Sequence, residues 1–407
     1  MSEREFDLVL FGASGFVGRL VAAHLPQRGQ GGRIALAGRS RDRLADVGAG
    51  LGVDWPLVVA DAHDAAAMAD LAARARVVLS TVGPYARYGI PLVQACALAG
   101  TDYADLTGEV LFVRESIERN HDVAVGTGAR IVHSCGFDSV PSDLGVLLLA
   151  ERARDDGEGE LSEATLLVVA AKGGVSGGTV DSLRTQVDAV RADPALIALI
   201  GDPYALSPNR GAEPDLGPQP DTFLAERLDD GTWVAPFVMA PFNTRVVRRS
   251  NALSGHAYGR DLRYREVLRT GKGLLSPLAA AAMSTGIGAL GVGLGSRRLR
   301  PLLDRVLPDP GTGPGEETRS CGHFTMAIRA RTTRGARYVA TISAHGDPGY
   351  AATSIMLGES GLCLAGDRDR LPDRAGVLTP ATALGMALAA RLRDNGFRLD
   401  VRRVVAP

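Results

Sequence analysis

Residues 6–18 read FDLVLFGASGFVG, a short apolar run that meets three glycines, Gly12, Gly15 and Gly18, each three positions from the next. The apolar run predicts a buried strand, and GFVGRLVAAHL after it predicts a helix. A strand that turns into a helix through such glycines is a phosphate-binding arrangement. Gly12 permits the tight turn, and Gly18 lets the helix lie close on the strand. Gly15 lets a pyrophosphate approach backbone N–H groups at the helix N-terminus, with Ala13, Ser14, Phe16 and Val17 completing the loop. Glycine is abundant here, at 50 of 407 residues, so the spacing alone is weak. The reading rests on where the loop stands, at the opening of a strand–helix–strand unit.

The neighbouring strand end discriminates between cofactors. An acid there accepts hydrogen bonds from the ribose of NAD and repels the extra phosphate of NADP. The chain instead has LAGRSRDRL at 36–44, with no acid at the tip. Arg39 can pair with a 2′-phosphate and Ser40 can donate to it. NADP(H) is the expected cofactor. Asp61, closing the third strand, either contacts adenine or caps the next helix.

Further out, DLVLF, RIALA, PLVVA, RVVLST, TDYADL and RIVHS read as strands, and the stretches between them as helices. That alternation predicts an α/β domain, a Rossmann-type doubly wound parallel sheet covered on both faces. DDGEGE at 155–160 is a charged, glycine-containing break. Beyond it EATLLVVAAKGG, TWVAPF, NTRVVRRS, GHFTMAIRARTT and ARYVATISAHG read as strands, and helical patterns return near the C-terminus. The expected units are a nucleotide domain over 1–150, an inserted α+β substrate domain over 151–348, and C-terminal helices over 349–407 that return to the first domain.

Candidate chemistry gathers at strand ends. RVVLSTVGPYARYG sets Thr81, Val82, Gly83 and Pro84 beside the nicotinamide side of the crevice. Tyr85 and Tyr88 are phenols able to deliver a proton after hydride transfer, or tyrosines packed at a domain seam. No Tyr-x-x-x-Lys pair exists, which removes the usual short-chain dehydrogenase mechanism. Lys172, at the end of a second-domain strand, is a further catalytic candidate. In HSCGFDSVPSDLG (133–145), Asp138, Ser139, Ser142 and Asp143 either shape a pocket or cap the following helix.

Composition limits the alternatives. The chain is 45% hydrophobic and 22% charged with a formal net charge of -1, so nothing global favours nucleic acid. Its four cysteines are far apart and complete no zinc set, which fits reduced thiols and no metal in a cytoplasmic chain. Residues 273–296 carry no charge; they are long enough to span a bilayer, yet rich in Ala, Gly, Ser and Thr. A buried helix pair or a lipid-contacting segment with peripheral membrane contact is expected there. The run Arg245, Arg248, Arg249, Arg260, Arg263, Arg265 and Arg269 either docks an acidic carrier domain or anionic headgroups, or is a solvated face.

FGASGFVG, AGRS, VGPYARYG, GTDYADLTGE and GFDSVPSDLG, in this order, resemble the saccharopine dehydrogenase-like NADP-binding family. PDPGTGPGEETR, GDPGYAATSIMLGES and GVLTPATALG look like its actinobacterial trans-acting enoyl reductases. The resemblance covers nearly the whole chain. It implies a Rossmann domain with an inserted substrate domain, and an NADPH-dependent reductase of carrier-bound acyl or polyketide chains in lipid biosynthesis; a homodimer is a separate expectation. Two alternatives stand beside it: reduction of an amino-acid imine, and a non-catalytic nucleotide-binding, lipid-associated protein.

Overall fold

The computed structural model describes residues 4–28, 32–173, 177–217, 224–296, 298–303, 305 and 313–404. The first half supplies strands β1 (Phe6–Phe11), β2 (Ile34–Gly38), β3 (Leu57–Val59), β4 (Ala75–Ser80), β5 (Asp102–Asp105) and β6 (Arg130–Val132). The second half supplies β7 (Leu161–Lys172), β8 (Glu226–Arg227), β9 (Trp233–Pro236), β10 (Arg263–Gly271), β11 (His323–Thr332), β12 (Arg337–His345), β13 (Gly376–Leu378) and β14 (Arg398–Val404).

Seven strands form the first sheet in the order β13-β6-β5-β4-β1-β2-β3, all parallel. The chain runs outward from β1 to β3, then restarts on the other side of β1 with β4. The crevice at the carboxyl ends of β1 and β4 is therefore the topological switch point. β1 shows why the sheet is buried on both sides. Leu8 and Leu10 face one core, and Val9 and Phe11 face the other. The Ala65–Arg74, Tyr85–Ala99 and Val110–Thr127 helices cover the second face. The Phe16–Arg28 helix covers the first together with Thr353–Gly366, which comes from the far end of the chain.

The second sheet has the order β14-β12-β11-β7-β10-β9-β8, antiparallel except where β10 runs parallel to β7. The Val140–Asp155 helix packs on its inner face. Leu144 and Leu148 of that helix belong to one core with Leu8 and Leu79 of the first sheet and with Ile328 and Ile342 of the second. The two sheets thus share an apolar interior.

Three expectations change. NTRVVRRS lies within the Ala240–Leu253 helix, because Val246, Val247 and Ser250 recur at helical spacing on a buried face. Residues 398–404 pair with β12 in the second sheet, so the C-terminal segment is not purely helical. The uncharged segment forms one helix, Ser276–Gly295, with most of its surface exposed. It is not a buried pair.

Candidate nucleotide site

The glycine loop is shaped by steric limits that its three glycines meet differently. Gly12 has φ +88°, and a Cβ there would sit 2.6 Å from Thr81 Oγ1. A Cβ on Gly18 would lie 2.1 Å from the Gly12 carbonyl oxygen. Both positions are closed to any side chain. A Cβ on Gly15 meets only that same oxygen, at 3.2 Å, and Gly15 is exposed at the mouth of the turn. The turn itself is held by Gly12 N–H and Ala13 N–H donating to Ala37 O at 2.8 and 3.2 Å. The N–H groups at the start of the Phe16–Arg28 helix have no partner within the helix. Open space above Gly15, and beside it N–H groups left without intrahelical partners, fit a pyrophosphate.

At the end of β2, Arg39, Arg41 and Arg43 are exposed, and among the described residues none has an ion-pair partner. Ser40 caps the Arg41–Leu51 helix by accepting from Arg43 N–H at 3.4 Å, which leaves its own proton free to donate. Asp61 does not cap the next helix: Asp64 does, accepting from Ala66 and Ala67 N–H at 2.9 and 3.1 Å. Asp61 accepts from His63 N–H at 3.0 Å and keeps its exposure.

β4 ends against the loop. Thr81 Oγ1 donates to the carbonyls of Phe11 and Gly12, at 3.3 and 3.1 Å. Val82 N–H donates to Ser80 Oγ, and Gly83 and Pro84 lead into the Tyr85–Ala99 helix through a cis peptide. Tyr85 is buried, with its hydroxyl donating to Ser80 O at 3.0 Å and accepting from Leu106 N–H at 3.2 Å. Burial and the nearby Asp105 push its phenol well above the ordinary range. Tyr85 therefore reads as a packed tyrosine, a poor source of the reaction's proton. Tyr88 is half-buried and stacks edge-on to His63, ring centroids 5.2 Å apart.

Glu109, which sequence reasoning passed over, organises this corner. Its carboxylate accepts from Tyr85 and Ala86 N–H at 3.0 and 2.8 Å, capping a helix whose N-cap, Pro84, has no capping side chain. It also accepts from Ser182 Oγ at 2.6 Å, in the Gly177–Ala192 helix of the second half. Burial raises its carboxyl above the usual range, and these donors only partly pull it back. Beside it Asp105, His133 and Ser116 form a buried chain at 2.7 and 2.8 Å, closed to solvent. The signal for both was their place in GTDYADLTGE and at the end of β6, where carboxylates inside an apolar sheet must find donors.

The two halves meet over the loop. Phe16 stands edge-on to Tyr350 at 4.8 Å, and the Arg319 guanidinium lies 5.4 Å from its ring centroid. Lys172 ends β7 exposed, opposite His323 in register, and Gly173 after it abuts Asp347. Ser139 and Asp143 do not cap the Val140–Asp155 helix; they are tied into a buried network. Ser139 Oγ donates to Asn243, Asn243 donates to Glu266, and Asp143 accepts from Ser250 and from Ala381 N–H. Asp138 differs from its neighbours. It is half-buried between β6 and that helix, and among the described residues it has no hydrogen-bond or ion-pair partner. Burial pushes its carboxyl up to about 6.

The arginine run is largely spent internally. Arg248 donates to Tyr264 O at 3.1 Å, and Arg249 donates to Leu206 O and Val377 O at 2.6 and 2.5 Å. Arg245 donates to Ile200 O, and Arg265 pairs with Glu226 at 2.8 Å. Arg245, Arg248 and Arg249 are buried, and the exposed cations of this stretch are Arg260, Arg263 and Arg269.

Comparison with known proteins gives the domain and the family. Residues 8–132 match the saccharopine dehydrogenase NADP binding domain, which makes NADP(H) the cofactor. The chain is 51% identical to a trans-acting enoyl reductase of Mycobacterium ulcerans, over 99% of each. It is equally similar to one of Mycobacterium tuberculosis, at 51% over 99% of each. Among solved structures, apo saccharopine dehydrogenase (L-Glu forming) from Saccharomyces cerevisiae shares the fold, with TM-score 0.56 and 12% identity over 98% of this chain and 99% of that one. The chain belongs to the trans-acting enoyl reductase family, built on a saccharopine dehydrogenase-type NADP-binding domain.

Proposed function

We propose that the chain is an NADPH-dependent enoyl reductase acting on acyl or polyketide chains held by a carrier domain. The observation that carries this reading is the full-length likeness, at 51% identity, to reductases of that name. The open Gly15 and the exposed Arg39, which has no ion-pair partner among the described residues, support the cofactor side. When bound, NADPH supplies the hydride that an enoyl thioester accepts at its β-carbon. Ser40 and Arg39 hold the 2′-phosphate, and the N–H groups after Gly15 hold the pyrophosphate. Asp138 holds the proton that the α-carbon takes, because it has no hydrogen-bond or ion-pair partner among the described residues and burial raises its carboxyl to about 6. Tyr88 and Lys172 are the other groups suited to carry that proton.

Reduction of an amino-acid imine calls for arginines aimed at substrate carboxylates. Arg248 and Arg249 instead serve backbone carbonyls, so that reading lacks its anchor.

Stopped-flow oxidation of NADPH with an enoyl thioester tests the proposal. Turnover is expected, and the rate should fall as pH rises through about 6, where Asp138 loses its proton. Asp138→Asn should lower kcat by roughly 10²-fold or more while NADPH still binds. NADPH binding without turnover of any enoyl thioester refutes the reductase assignment. Full activity in the Asn variant refutes the role of Asp138.

A further inference from the structure

The Ser276–Gly295 helix is apolar on every side, and a helix of that kind is ordinarily enclosed by protein or by lipid. Here its buried residues are Ser276, Ala280, Gly293 and Leu294, all near its two ends. No residue from 281 to 292 is fully covered. Leucines crowd its beginning in full view of solvent: Leu274 is 98% exposed, Leu275 74% and Leu278 67%. Scattered exposed leucines are unremarkable, but three within five positions on an uncharged segment form a patch.

Along the chain, charge beside the patch has one sign, and in space Lys272 also pairs with Asp230 at 3.4 Å. No Asp or Glu occurs from 273 to 303, whereas Lys272 precedes the segment and Arg298 follows it. Arg298 is exposed and, among the described residues, has no ion-pair partner. An acidic carrier domain would need cations on the helix face itself, and that face has none.

The segment has the length to cross a bilayer, about 30 Å of helix. Its attachments forbid that. Thr270 Oγ1 donates to Ser276 O at 3.1 Å at one end, and at the other Gly293 packs against Leu303. Just beyond, Arg300 grips Asp188 at 2.5 and 3.0 Å. Both ends are thus fixed to one folded body, and the helix packs on β9 and β10. It can lie along a surface and cannot stand through one.

We propose that this helix is a lipid-surface contact: Leu274, Leu275 and Leu278 enter the acyl region of an anionic leaflet, and the exposed Arg298 meets its headgroups. The inference rests on the fold and stands whether or not the chain reduces enoyl thioesters.

Flotation of the full chain tests it, with vesicles of phosphatidylglycerol and phosphatidylethanolamine compared with phosphatidylcholine alone. Binding about tenfold stronger to the anionic vesicles is expected. The double variant Leu274→Asp, Leu278→Asp should lose about tenfold or more of that binding, with NADPH titration unchanged to report an intact fold. Absence of flotation, equal flotation of parent and variant, or equal binding to both vesicle types overturns the proposal. A dimer in sedimentation equilibrium that the same two substitutions dissolve overturns it too, since the patch would then be covered by a second copy.

Discussion

Gly18 of the nucleotide loop and Gly288 of the apolar helix both sit inside helices, under opposite constraints. A Cβ at Gly18 would lie 2.1 Å from a backbone oxygen, while one at Gly288 meets nothing within 4 Å. The first glycine exists because the helix must touch the strand. The second has no such demand on it, and glycine there carries the ordinary penalty of an exposed helical position. The surroundings repeat the contrast. The loop's helix is braced from behind by His24 and Arg28 on the buried Glu359, whereas the exposed middle of the apolar helix carries no ionic group.

Substitutions can break this comparison or sharpen it. The largest effect on cofactor binding is expected from Gly18→Ala, since neither the turn nor the helix can retreat by the needed ångström. NADPH affinity should fall roughly 10²-fold or more, read by fluorescence titration, with circular dichroism reporting any loss of fold. An unchanged affinity would mean that the loop does not grip the cofactor. Next comes Glu359→Ala, which strips His24, Arg28 and Arg391 of a buried partner and should cost about 3–5 kcal/mol in denaturant unfolding. Burial opposes the Glu359 charge, but His24 and Arg391 outweigh it and hold the carboxyl below its usual range. That contribution is present above the unfolded carboxyl's value of 4.5 and is lost as pH falls through the lower folded value, so the variant's deficit should shrink in acid.

A smaller and more selective change is expected from Arg39→Glu. NADPH should weaken by about 10- to 100-fold, with NADH nearly unaffected, because only NADPH carries the 2′-phosphate. Equal loss for both would remove Arg39 from that role. Smallest of all, Gly288→Ala should stabilise the chain by about 0.5–1 kcal/mol in thermal or denaturant unfolding. Destabilisation would reveal a close neighbour at that face, and with it a covered helix.

The nucleotide half was legible because its demands are local. The strand, the turn and the spacing of Gly12, Gly15 and Gly18 follow from chain geometry over thirteen residues, and LAGRS follows from the charge a ribose phosphate tolerates. What escaped depends on partners distant in sequence. NTRVVRRS alternates plausibly as a strand, but its arginines find carbonyls near residues 200–206, 264 and 377 only when wound into a helix. Tyr85 looks like a reactive phenol until the Ser80 carbonyl and the Leu106 amide claim its hydroxyl. Glu109 appears as an acid in a motif, and its capping of a helix 24 residues away is a tertiary fact. Ser139 and Asp143 carry good capping chemistry, which the Asn243 amide and the Ser250 hydroxyl of a second helix win instead.

The interior shared by the two sheets bears on how cofactor is exchanged. A protein with a thin linker between its halves can open its crevice by swinging one half away. Here the Val140–Asp155 helix is embedded in a core common to both sheets, so such a swing would expose apolar surface from each at once. Entry and release of the nucleotide must therefore be carried by the rim: the Tyr350 and Arg319 side chains over Phe16, and the Gly177–Ala192 helix latched by Ser182 to Glu109. Turnover would then be limited by local loosening of those few contacts, and its temperature dependence would report on the latch more than on the stability of the fold.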